Sequence, residues 1–324
     1  MARFTMPLHP YAIKVPGRSG PSATGSQLTH VTTPNPATNP KAAAPLQPAV
    51  IQKGQQPNFT EGFTLSSSVI QGNAYNTPTS QDIIGLQCLI SGSVTTPSAA
   101  WDVSSIVERI EIYNRAGKLV MNIQGGTFLY DLYTRFAAVK PAAVRSNSVT
   151  ATATTFSATI QVIGLRLPAK NGPYAVNFYY NTLAATKSSA ASIAFTNAVS
   201  AIFGSANGIT TRMRNQTFTL AAGDNYLQTL SVPQGVPIYE VFMRGWSAIG
   251  NLSYVQIESG SGVVEQNLKE SAIVQRMTDL DLDSYETTTL VLREPGPFIM
   301  DSNGTFDLNL GTADSPTITW YWVE

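Results

Sequence analysis

The stretch that decides the fold begins Ile106-Val-Glu-Arg-Ile-Glu-Ile-Tyr113, turns through Asn114 to Gly117 and continues Leu119-Val-Met-Asn-Ile123. It then passes Gly125-Gly126 into Phe128-Leu-Tyr-Asp-Leu-Tyr-Thr-Arg-Phe136. The first two segments alternate as strands do, with Ile106, Ile110 and Ile112 on one face and Arg109 and Glu111 on the other. In the last segment Phe128, Leu129, Leu132, Tyr133 and Phe136 fall on one side of a helix. Further on, the chain reads Ile238-Tyr-Glu-Val-Phe-Met243, a turn near Ala248 to Gly250, and Leu252-Ser-Tyr-Val-Gln-Ile257. Gly260 and Gly262 follow, and then a helical pattern from Val263 to Met277. The order strand, turn, strand, glycines, helix is kept at an offset of 132 residues from Ile106 to Ile238 and 135 from Phe128 to Val263. A solenoid unit is roughly 20–50 residues; this repeat has the length of a whole domain. The chain reads as two similar β-rich domains in tandem.

The rest of the body supports that reading. Alternation recurs at Ile84-Leu86-Cys88-Ile90, Ile160-Val162, Tyr174 to Tyr180 and Ile193-Phe195, and in the second half at Phe218-Leu220, Leu227-Leu230, Thr287 to Leu292, Phe306 to Leu310 and Ile318-Trp320-Trp322. Turn signals separate these runs at Lys170 to Pro173, Gly223 to Asn225, Pro295 to Pro297 and Ser302 to Gly304. Short, evenly spaced strands with polar turns point to antiparallel sandwiches rather than βαβ units. About eight strands and one helix per half suit a jelly roll better than an immunoglobulin-type sandwich of about 100 residues. The expected fold is all-β: two tandem eight-stranded jelly rolls, each with one inserted helix, preceded by an irregular arm. The expected division is 1–57 arm, 58–208 first roll and 209–324 second roll, with the seam in the small and polar run from Gly204 to Asn215.

Composition narrows the function. The chain has 324 residues, no net charge and only 12% charged residues, about half the usual ~25%. A free monomer relies on surface charge to stay dispersed, so much of this surface is expected to meet other protein. The single cysteine, Cys88, excludes an intrachain disulfide and reads as a buried strand thiol. Neither a secretory h-region nor a stretch of roughly 18 apolar residues is visible.

Residues 1–57 are a different material, with prolines at close intervals and no Asp or Glu. Their charges are Arg3, Lys14, Arg18, Lys41 and Lys53. With no hydrophobic period the segment is expected to be extended on its own. These five residues are the expected contacts to neighbouring subunits or to an inner, negatively charged layer.

Catalytic constellations are missing. Both histidines, His9 and His30, lie in the arm, so the body has no base for a Ser-His-Asp or Cys-His system and no His-rich metal site. Gly260-Ser-Gly262 lacks the third glycine of a dinucleotide fingerprint, and Glu265 stands in its place. The densest acidic run is Asp279, Asp281 and Asp283, where a hard cation such as calcium would find oxygen ligands. Ser284 and Leu290 depart from an EF-hand there, so a solvated loop is the simpler reading. No cofactor, metal or catalytic residue is assigned, and no enzyme activity is expected.

Together these features resemble the double jelly-roll major capsid proteins of tailless icosahedral viruses, the lineage that includes adenovirus hexon. The chain's size points to the small members found in bacteriophages with an internal membrane. The resemblance covers about 58–324 as architecture, carried by the units at 106–136 and 238–277; no signature residue is carried over. It implies a homotrimer that forms a pseudo-hexagonal tile, packed with neighbouring capsid and penton proteins. The arm would reach the internal membrane or the genome, and assembly would take place in the host cytoplasm. The alternative is a receptor- or carbohydrate-binding β-sandwich protein, a viral spike or lectin, with aromatic side chains as its platform.

Overall fold

The computed structural model describes residues 59–137, 147–228, 235–258, 261, 264–279, 288–292, 298–299 and 304–324. The first half contains β1 (Phe59–Thr64), β2 (Ile70–Gln71), β3 (Tyr75–Asn76), β4 (Ile83–Thr95), β5 (Trp101–Asp102), β6 (Val107–Tyr113) and β7 (Leu119–Gln124). Helix α1 (Phe128–Ala137) follows, then β8 (Ser148–Val149), β9 (Thr155–Leu167), β10 (Ala175–Tyr180) and β11 (Ser192–Phe203). The second half contains β12 (Thr211–Thr217), β13 (Gly223–Gln228), β14 (Pro237–Arg244), β15 (Leu252–Glu258), β16 (Val264–Lys269) and α2 (Glu270–Asp279). It ends with β17 (Thr289–Leu292), β18 (Phe298–Ile299), β19 (Thr305–Leu310) and β20 (Thr317–Val323).

Sheet order makes each half a jelly roll. In the first, β1-β11-β4-β9 forms one sheet and β2-β10-β6-β7, with β3 also on β10, forms the other. Lettered B to I along the chain, these are B-I-D-G and C-H-E-F, the order that two Greek keys produce. The second half repeats it, with β12-β20-β14-β17 as B-I-D-G and β13-β19-β15-β16 as C-H-E-F. The short strands β5 and β8 make a separate ribbon, and β18 adds to β14. Both helices lie in the F–G connection.

The core follows the alternation. In β4, Leu86, Cys88 and Ile90 are buried. A register shift between Ile83 and Gly85 puts Ile84 on the other face, where its side chain lies against Gly204. In the second roll Trp320 meets Phe306 of the opposing sheet edge-on at 4.7 Å. Burial of side chains of this size stabilises by roughly 1.5–3 kcal/mol each.

The repeat is real, but its phase differs from the one expected. The unit β6-β7-α1 corresponds to β15-β16-α2, since Val107 to Leu252 and Leu119 to Val264 are both steps of 145 residues. Sequence spacing pairs β6 with β14 instead, one strand early, because Val264–Lys269 reads as the start of a helix. Apolar residues four apart, Val264 and Leu268, share a face on a helix and on a strand alike. The helix itself is Glu270–Asp279, with Ile273 and Met277 buried. Gly223 to Asn225, expected as a turn, opens strand β13, with Asn225 Nδ2 donating to the Leu308 carbonyl at 3.2 Å.

Candidate functional site: the seam between the rolls

In strand β14, alternation sends Val241 and Met243 into the second roll and Glu240, Phe242 and Arg244 out of it. The outward set would face water in an isolated roll, yet Glu240 is 1% exposed, Phe242 0% and Arg244 6%. Strand β20 behaves in the same way: Trp320 and Trp322 point inward, and the outward Thr319 and Tyr321 are also buried. The cover is α1 of the first roll.

The contacts run along the helix. Phe128 meets Phe242 edge-on at 5.3 Å, and the Arg244 guanidinium lies 5.3 Å over the Phe128 ring. Arg244 Nε pairs with Asp131 at 3.0 Å, and its Nη2 donates to the Thr127 hydroxyl at 2.6 Å. One turn further on, Arg135 Nε pairs with Glu240. Phe136 packs 5.0 Å from Tyr321, whose hydroxyl donates to the Gly164 carbonyl at 3.3 Å. Gly164 sits at φ +84, and a Cβ there would run into the Phe136 ring. Glycine meets both demands.

Strand edges close the seam beside the helix. Strand β7 pairs with β12 in parallel at Met121 and Met213, which joins the two rolls into one ten-stranded sheet. Arg214 Nη2 donates to the Leu119 carbonyl at 2.7 Å, and Asn215 Nδ2 to the Asn122 carbonyl at 3.1 Å. The connection from Phe203 to Thr211 is pinned as well. One Asp82 oxygen accepts from Ala169 N at 2.8 Å, and the other accepts from Ala206 N at 2.9 Å. The two rolls are therefore joined by side-chain packing, a shared sheet and a hydrogen-bonded connection.

Two ion pairs inside this seam are out of water. Burial raises the Glu240 carboxyl above its ordinary range, and Arg135 opposes that rise. Such a pair adds little net stability, but its separation is costly because one charge is left uncompensated. The pair sets the Arg135 turn of α1 against Glu240 of β14.

The expected site residues fall elsewhere. Arg3, Lys14, Arg18, Lys41 and Lys53 lie outside the described residues, as do Asp281, Asp283, Gly260 and Gly262. Asp279 is the exposed last residue of α2. Among the described residues no group of three or more His, Cys, Asp or Glu is placed to hold a metal. Burial pushes the Cys88 thiol up to about 12, which suits a core residue rather than a nucleophile.

The outer wall of the second roll carries one buried acid. Asp307, on β19, lies in register between Tyr226 of β13 and Gln256 of β15. Burial raises its carboxyl above the ordinary value; Thr305 opposes the rise, while Glu258 and Asp224 add to it. A raised carboxylate pKa favours the protonated native state, so the ionised form weakens the fold as pH rises through and above the usual carboxylate range. Asp307→Asn is therefore expected to raise the melting temperature at about pH 7, with the gain vanishing by about pH 3. Thermal melts of both proteins at the two pH values measure this, and an equal or lower melting temperature for the variant at pH 7 would contradict it.

No protein-family model matches the chain, and no curated protein matches it. Solved structures do. The chain is similar to the crystal structure of the STIV MCP at 12% identity and TM-score 0.57, with 82% of this chain and 95% of that one covered. It is similar to a chain in the atomic structure of Sulfolobus Turreted Icosahedral Virus at 11% identity and TM-score 0.54, covering 82% and 90%. It also matches PBCV-1 VP54, fitted into a reconstruction of the virophage Sputnik, at 8% identity and TM-score 0.50, covering 83% and 94%. The shared fold is the double jelly roll of viral capsid proteins.

Proposed function

We propose that this chain is the major capsid protein of an icosahedral virus and acts by assembly rather than turnover. The observation that carries the reading is the seam. It locks two jelly rolls side by side, so that one chain supplies two equivalent corners of a larger tile. Three chains then make a pseudo-hexagonal unit, and such units pack with each other and with penton proteins into a shell. The fold shared with STIV MCP and PBCV-1 VP54 supports this, and so does the low charge, 12% of residues.

In this reading the chain divides into 1–57, 58–208 and 209–324. Arg3, Lys14, Arg18, Lys41 and Lys53 touch neighbouring subunits, the internal membrane or the genome. Assembly takes place in the host cytoplasm, and the finished protein resides in the virion. Light scattering on the purified protein is expected to give three times the 34.7 kDa chain mass; a persistent monomer over a wide concentration range would count against the reading.

A further inference from the structure

The outer wall of the β13-β19-β15-β16 sheet gathers oxygen atoms around one buried acid. On β19, Phe306, Leu308 and Leu310 fill the core, and alternation turns Thr305, Asp307 and Asn309 outward. In register beside Asp307 stand Tyr226 of β13 and Gln256 of β15, and beside Thr305 stands Glu258 of β15. Asp224 of β13 stands beside Asn309. The base on this wall is Lys269 of β16, but it is in register with Tyr254, two rows away from Glu258.

Asp307 faces outward and is still only 3% exposed. Neither of its oxygens has a hydrogen-bond partner of good geometry, and the Thr305 hydroxyl oxygen beside it has none either. A buried carboxylate is ordinarily paired with a base or bound to a metal, because its uncompensated charge is strongly unfavourable away from water. Here the acids within its field, Glu258 and Asp224, are of its own sign. Asp224 is already engaged, its Oδ1 accepting from the Tyr254 hydroxyl at 2.7 Å and from Asn309 Nδ2 at 2.6 Å. Glu258 accepts from Gln256 Nε2 at a long 3.4 Å. Gln256 Oε1 accepts from Asn267 Nδ2 at 3.0 Å and keeps a second lone pair. We propose that Asp307, Glu258, the Thr305 hydroxyl and Gln256 Oε1 form a calcium site on this wall.

The donor set selects the ion. Every donor is an oxygen, which suits a hard cation. Two carboxylates supply the charge that balances a divalent ion, and the hydroxyl and the amide oxygen add neutral ligands. An irregular set drawn from neighbouring strands suits calcium better than magnesium, which demands near-octahedral geometry. With two carboxylates and no third, affinity is expected in the weak range, a dissociation constant of about 10⁻⁴ to 10⁻³ M. The ion would neutralise Asp307 and tie β19 to β15 through their side chains. The site lies away from the seam and does not depend on the capsid reading.

Calcium added to the chelator-treated, full-length protein at neutral pH and constant ionic strength tests this. At ~10 mM calcium the melting temperature is expected to rise by about 2–4 °C, and at the same concentration of magnesium by much less. Equilibrium dialysis is expected to find one calcium ion per chain. Asp307→Asn and Glu258→Gln are each expected to keep the wild-type circular dichroism in chelator and to bind calcium at least ~10-fold more weakly, a loss that even groups supporting a ligand can cause. Asp279→Asn, in the acidic run at the end of α2, is expected to bind as wild type does. A wild-type protein that binds no calcium would overturn the site, and so would binding that survives Asp307→Asn. Equal shifts from calcium and magnesium would mean that divalent charge merely screens an acidic wall, which also overturns it. Loss of binding in Asp279→Asn alone would place the ion at the end of α2 and overturn the proposal in the same way.

Discussion

Glu240→Ala is expected to destabilise the protein by roughly 3–5 kcal/mol, the cost of leaving a buried charge without its partner. The stranded group is Arg135, 3% exposed on α1. The loss is expected at the seam first. Wild-type protein should unfold in one calorimetric transition, because the seam couples the rolls. In the variant the transition should broaden or split, because neither roll then holds the other in place. Arg135→Met combined with Glu240→Leu removes both charges, so it is expected to recover most of the loss. The recovery measures the coupling of the pair. A single mutant within about 1 kcal/mol of wild type would mean that water reaches the pair and that the seam is looser than described.

Phe242→Ala carries the second large effect, roughly 3–5 kcal/mol for emptying a packed aromatic site. Phe242 has no exposed surface and stands edge-on to Phe128, so its removal leaves a void between two elements of different rolls. Tyr226→Ala is the control, since Tyr226 is mostly exposed and its loss should move stability by less than about 0.5 kcal/mol. Denaturant titration of the three proteins gives the comparison. Equal midpoints for Phe242→Ala and Tyr226→Ala would show that α1 does not seal against β14.

Much of the fold was legible because alternation is a strong signal. The strands around Ile110, Cys88, Phe178 and Trp320 all stand where their apolar period puts them. The tandem repeat was legible as a repeat, but not in its phase, because the spacing of Val264 and Leu268 fits a strand and a helix equally. The seam was not legible. Glu240, Phe242 and Arg244 share a face, and a strand with charge on one face reads as solvent-exposed. The available hint was Phe242 itself, a large aromatic on a face that otherwise looked polar, together with Asp131 and Arg135 one turn apart on α1. The partner of such a face lies more than 100 residues away, Arg135 to Glu240 being 105, and periodicity carries no information at that range. Low charge did point to a protein surface that other protein covers, but it could not say which wall.

The central claim is that one chain is two corners of a shell tile. Electron microscopy of the purified full-length protein tests it most directly. The account expects flat particles of three chains with a six-cornered outline, and larger curved sheets of them as concentration rises. Separate two-lobed particles, one chain each at every concentration, would contradict it.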